Sequence, residues 1–225
     1  MNKWLDPATQ HQIERMVDDL CSEFAGDFAR AQIEEVMADS VERIAGTARF
    51  HDFVPLMAYR FTCERLKAIR RARGEDAEST WDVVFVGLSG GGRGQIAAAV
   101  TAKLSERLVS VHSAGTATRG EIDPQVRAAI AELGLDPSEE FSRPVTDDIL
   151  RGADVIAAMG HSVGVVDVPE GVRHEDWRVG DPIGAPLEEI RRVRDDIDYR
   201  VRGLLAELGV RPTHGAPASE SAAVR

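Results

Sequence analysis

Val83-Val84-Phe85-Val86-Gly87-Leu88-Ser89-Gly90-Gly91-Gly92-Arg93-Gly94-Gln95-Ile96-Ala97-Ala98-Ala99 decides how this chain is read. An apolar, β-branched run ends at a loop in which five of eight residues are glycine, and an alanine-rich helical pattern begins directly after it. The order is strand, tight loop, helix. Glycines let backbone N–H groups converge, and the following helix adds its unpaired first-turn donors and the positive end of its dipole. Such a loop is built to hold an oxyanion, so residues Gly87, Leu88, Ser89, Gly90, Gly91, Gly92, Arg93 and Gly94 form the candidate anion-binding set. Arg93 is the only charged side chain among them and supplies a planar fork suited to phosphate, sulfate or arsenate oxygens. A cramped turn between strand and helix is the plainer alternative. Two nucleotide motifs come close and fall short. No Lys followed by Ser or Thr completes a Walker loop, and the relaxed dinucleotide match Gly92-Arg93-Gly94-Gln95-Ile96-Ala97 lacks a ribose-binding acid after the next strand, Leu108 to Ser113.

Outward from that stretch, strands and helices alternate. Leu108-Val109-Ser110-Val111 reads as a second strand leading into Ser113-Ala114-Gly115-Thr116. Asp123-Pro124 opens a helix that Gly134 stops, Thr146-Asp147-Asp148 opens another, and Val155-Ile156-Ala157-Ala158-Met159 is a buried strand. A last long helix over about residues 185–208 carries Leu187, Ile190, Val193, Ile197, Val201, Leu204 and Leu208 on one face. The expected fold is α/β, a doubly wound parallel sheet over residues 81–210. Residues 211–225, rich in Pro, Ser, Ala and Gly, read as a disordered tail.

Upstream lie three one-sided helical patterns, over about residues 7–25, from Gly26 to Gly46, and from Asp52 to Gly74. They predict a small three-helix bundle over residues 1–74, with 75–80, polar and acidic, as a linker between independently packed units. About 70 residues is a marginal core. A dimerisation role for the bundle, giving a homodimer, is therefore expected, with a plain structural appendage as the alternative.

Composition limits the function. In 225 residues the net charge is −11, which argues against a general nucleic-acid partner. No apolar run approaches the roughly 20 residues that span a bilayer, and residues 1–6 lead straight into polar helical sequence, so a cytoplasmic protein without a membrane partner is expected. Cys21 and Cys63 sit in helical patterns and read as small buried hydrophobes of a reducing compartment. His161, His174, Asp176 and Asp181 match no metal-ligand spacing, and no metal or other cofactor is expected. Ser89 has no evident base beside it and is expected to shape the loop.

The second unit resembles the low-molecular-weight protein tyrosine phosphatase family, including its arsenate reductase branch. The resemblance covers about residues 81–208. It rests on the strand and loop ending Gly92-Arg93-Gly94-Gln95, on Ser113-Ala114-Gly115-Thr116, on the strand from Ala153-Asp154 to Met159-Gly160, and on Glu175-Asp176-Trp177 followed by Asp181-Pro182. The helical segment is similar to the dimerising bundle fused to such domains in some bacteria. In that family a cysteine thiolate, separated from the arginine by five intervening residues, attacks phosphorus or arsenic, and a serine or threonine follows the arginine. The resemblance implies that Gly87 stands at the nucleophile position and Gly94 at the hydroxyl position. It also places Asp181 as the general acid, and sets His161 and Val165 where arsenate reductases carry further cysteines.

Three readings follow. The first is a phosphatase- and arsenate reductase-like protein that has lost family catalysis and binds a small oxyanion or a phosphorylated ligand. The second is an active enzyme of this fold, working by a non-cysteine route with Asp181 or Ser89. The third is a structural module whose loop binds nothing. Whether the chain is an enzyme stays open at this point.

Overall fold

The computed structural model describes residues 5–46, 48, 51–75, 80–89, 92–117, 123–134, 143–160 and 166–211. Gly90, Gly91, His161, Val165, most of the expected linker and nearly all of the expected tail lie outside these residues.

Three helices come first, α1 (Pro7–Glu23), α2 (Arg30–Ala45) and α3 (Val54–Ala72). Asp6 caps α1, its carboxyl accepting from Thr9 N at 2.7 Å with Pro7 at the first helical position. Gly26 and Gly74, at φ +93° and +70°, let the chain leave α1 and α3 through the left-handed region. Val17, Leu20 and Phe24 pack with Ile33 and Met37 of α2 and with Ala58 and Leu66 of α3.

Next comes a parallel sheet in the order β3-β2-β1-β4-β5, made of β1 (Trp81–Ser89), β2 (Val109–Ala117), β3 (Arg143–Pro144), β4 (Val155–Met159) and β5 (Arg173–Trp177). Between and after them run α4 (Arg93–Leu104), α5 (Pro124–Ala131), α6 (Asp147–Gly152) and α7 (Leu187–Glu207). Asp123 caps α5 as expected, accepting from Gln125 N at 2.8 Å. A parallel sheet must be covered on both faces. On one face Val83, Phe85, Val155, Ala157 and Met159 meet the apolar sides of α4, α5 and α7.

The other face shows why the first three helices are not independently packed. Its own helix, α6, has six residues and spans only about 9 Å, too little to cover the sheet. Helix α3, with nineteen residues, lies there instead. Val54, Phe61 and Ala68 share a core with Val84, Val86, Ala114, Ile149, Leu150 and Ile156. At the crossing a Cβ on Gly152 would stand 2.7 Å from Ala68 Cα, so α3 and α6 touch backbone to backbone. The helical segment is thus the missing layer of the sheet, and two units joined by a simple linker do not describe the packing.

Candidate functional site

The strand order reverses between β1 and β4, and parallel α/β sheets bind ligands beyond the carboxyl ends of their strands at such a point. Gly87 lies there, buried, in register with Gly115 of β2 and Met159 of β4. Leu88 and Ser89 end β1, and Arg93 opens α4 after the turn at Gly92. Ile96 N makes the first helical bond, to Gly92 O, which leaves the amides of Arg93, Gly94 and Gln95 as first-turn donors at the mouth of the loop. The Gly92 amide has another task. It donates to Gln95 Oε1 at 3.1 Å, the reach-back of a side chain at the third helical position.

Arg93 is held, not splayed. Its side chain is 8% exposed, Nη1 donates to Val179 O at 3.4 Å, and Nη2 lies 3.6 Å from Asp181 Oδ2. Asp181 is 53% exposed, and its Oδ1 accepts from Ile183 N at 3.2 Å, a local turn that fixes the carboxyl beside the guanidinium. Gly92 and Asp181-Pro182, distant in sequence, are packed together: a Cβ on Gly92 would stand 2.9 Å from Pro182 Cγ and 3.0 Å from Val126 Cγ2. Gly92 also has φ +93°, so this glycine answers to both backbone and space.

Gly160 is a site residue that sequence reading left as a mere flank of β4. Its φ is +74°, its amide donates to Trp177 O at 2.7 Å, and a Cβ there would collide with Arg93 Nη1 and lie 2.8 Å from Cζ. The guanidinium runs across the place where any side chain at 160 would go. A glycine directly after a buried strand was the only signal in the sequence.

Other candidates separate from the loop. Cys63 sits among α1, α2 and α3, its thiol donating to Glu23 Oε1 at 3.5 Å, and burial pushes its pKa up. Cys21 belongs to the same cluster. His174 and Asp176 lie on β5, and no group of three or more potential metal ligands occurs among the described residues.

Ser110, His112 and Glu64 have the outline of a hydrolytic triad, with His112 Nε2 3.4 Å from Ser110 Oγ and Nδ1 3.6 Å from Glu64 Oε2. The chemistry is wrong for one. Burial would lower the His112 pKa, but Asp82 Oδ2 at 3.2 Å from Nε2, with Glu64, raises it to about 10, so the ring is a cation at neutral pH and no base. Arg143 grips Glu64 with both arms, at 2.5 and 2.6 Å. Burial would raise the Glu64 pKa, and Arg143 and His112 outweigh it and hold the carboxyl below its ordinary value. This is a lock between α3 and the sheet.

The model of the low molecular weight phosphotyrosine protein phosphatase family matches residues 82–212. The chain belongs to that family. Residues 13–70 match a second description, the N-terminal domain of protein-tyrosine-phosphatase-like proteins. A putative arsenate reductase of Halobacterium salinarum is 35% identical over 137 residues, covering 59% of this chain and 96% of the relative. An arsenate reductase of Brevibacillus brevis is 34% identical over 119 residues, 52% of this chain and 87% of its own. Among solved structures, the thioredoxin-dependent arsenate reductase of Corynebacterium glutamicum superposes with a TM-score of 0.79 at 30% identity, covering 88% of this chain and 97% of that one. Such coverage takes in the helical layer as well as the sheet. No helix among the described residues is long and apolar enough to cross a membrane.

Proposed function

We propose that this member of the family binds a small oxyanion or a phosphorylated ligand through residues 87–94 without performing the family's thiolate chemistry. The reading rests on one juxtaposition: a buried arginine at the mouth of a loop in which glycine stands at the counted nucleophile position. Gly87 offers no side chain, and the chain's two cysteines, Cys21 and Cys63, belong to the helical layer. Gly94 lacks the hydroxyl that accompanies the thiolate in the family pattern. The anion's donors are the amides of Arg93, Gly94 and Gln95 in the first turn of α4, together with the Arg93 guanidinium.

A second reading, an active enzyme, draws on Asp181. That carboxyl stands beside Arg93 in the place the resemblance gives to a general acid, and the relatives are named arsenate reductases. Water activated by Asp181 is then the route to test.

Phosphate and arsenate titrations, followed calorimetrically, test the first reading. The parent binds, and Arg93→Ala loses about a hundredfold or more, the loss expected for charge-assisted hydrogen bonds. Equal affinity of variant and parent would refute it. Self-association through the helical layer is part of the proposal. The surface proposed for it is the groove of about 490 Å³ between α1 and α2, where apolar Leu5, Ile13, Val17, Met37 and Val41 lie among charged Glu14, Arg30, Glu34 and Glu42.

A further inference from the structure

On the α3 face of the sheet, the end of α3, helix α6 and the segment leading into β5 enclose an open cleft. Its larger part, of about 700 Å³, has Ile69 and Ala72 of α3 as a floor with Val172 opposite, and a smaller part, of about 340 Å³, continues along α6. Both volumes are those of small-molecule sites. Asp147, Arg151, Pro169 and Glu170 line both parts.

Asp147 and Arg151 stand about one turn of α6 apart, the spacing at which an acid and a base close into an ion pair. The same order and spacing does close at Asp39–Arg43, Asp196–Arg200 and Asp198–Arg202, at 2.7, 3.1 and 2.7 Å. Asp147 and Arg151 stay apart, and among the described residues neither side chain has a hydrogen bond or ion pair elsewhere. Asp167 and Glu170, on the facing segment, are equally without partners among the described residues. The remaining charges of the cleft are spent. Asp148 is held by Arg65, Thr146 and the Ile149 amide, and Arg73 lies over the Phe28 ring at 4.9 Å. An open Asp–Arg pair presents a carboxylate beside a guanidinium fork, the complement of a zwitterion. Two more free carboxylates beyond an apolar floor call for a second cation on an aliphatic stem.

We infer that this cleft is a binding site for a basic α-amino acid. The ligand's carboxylate meets the Arg151 fork and its α-ammonium meets Asp147. Its side-chain cation reaches Glu170 and Asp167, with the methylene stem over Ile69 and Ala72. The cleft lies towards the amino ends of β4 and β5, whereas Gly87 lies at the carboxyl end of β1, so this site stands or falls independently of the oxyanion reading.

Calorimetric titration of the full chain with L-lysine tests it, beside L-leucine, which lacks the second cation, and cadaverine, which lacks the carboxylate. L-lysine binds with a Kd below about 1 mM, and each control binds at least about tenfold more weakly. Arg151→Gln then binds L-lysine and cadaverine alike, and Asp167→Asn with Glu170→Gln removes the preference over L-leucine. These side chains have no partners to lose, so the variants melt within about 2 °C of the parent and weakened binding is not unfolding. No binding of L-lysine, L-arginine or L-ornithine up to about 10 mM would overturn the site. Equal affinity of the parent for L-lysine and cadaverine would overturn it too, leaving an acidic surface that draws any amine.

Discussion

Gly160 shows how a residue without a side chain shapes a site. Arg93 reaches its position by passing over Gly160, and it is steadied there by Val179 O and Asp181. Gly160→Ala is therefore expected to act twice. A side chain at φ +74° is strained by roughly 1–2 kcal/mol, and the new methyl expels the guanidinium. Phosphate affinity should fall at least about tenfold while the chain stays folded; calorimetric titration beside a thermal melt measures both, and unchanged affinity would show that Arg93 finds another path. At this scale the sequence points to chemistry that lies in the residue type and carries no sign of what depends on space. Arg93 and Asp181 announce themselves by charge and turn context. Gly160 and Gln95 do not, because their parts depend on which neighbour lies within 3 Å or so. Gly92 was read as an anion donor, and its amide is taken by Gln95.

Helix α3 is the element that joins the two halves of the chain. One side, Ala58 and Leu66, meets α1 and α2, and the other, Val54, Phe61 and Ala68, meets the sheet. Its ion pairs repeat the connection: Arg65 to Asp148 of α6 at 2.7 Å, Arg71 to Asp154 at 3.0 Å, and Glu64 to Arg143 and His112. The pairs of Arg65 and of Glu64 are largely buried, and charges so placed stabilise when paired and cost several kcal/mol when one partner is removed. The His112 pKa lies near 10 in the fold against 6.5 unperturbed, so the stability it adds is complete below about pH 6.5 and is lost as pH rises through about 10. The difference in Tm between the parent and His112→Gln should accordingly be largest near pH 6.5 and shrink towards pH 10. A difference independent of pH would remove the charged lock.

The sequence revealed α1, α2, α3, β1, β2, β4 and α7 because each carries a clear apolar period. It hid β5, whose Arg173-His174-Glu175-Asp176 reads as loop and which gains its strand from the edge of the sheet beside β4. It also hid the second face of α3, since one amphipathic period does not say which of two cores receives it.

Across the whole molecule, the helical segment and the α/β unit form one layered body, with a glycine loop and Arg93 at the switch point and a lock of buried charges holding α3 beneath. The parallel, doubly wound class was legible from alternating strands and helices, whereas the shared core was not, because it depends on α6 being too short. The proposed dimer is a prediction at this scale. The full chain should sediment as a dimer, and Leu5→Glu with Ile13→Glu, both in the α1–α2 groove, should make it a folded monomer; a parent that is monomeric at high concentration contradicts this. At the centre stands the proposed cradle, intact and lacking its nucleophile. Turnover of an aryl phosphate by the parent and by Gly87→Cys, assayed side by side, tests it most directly. The account predicts a silent parent and measurable turnover by Gly87→Cys, whereas turnover by the parent that Arg93→Ala abolishes would contradict it and make the protein a working enzyme.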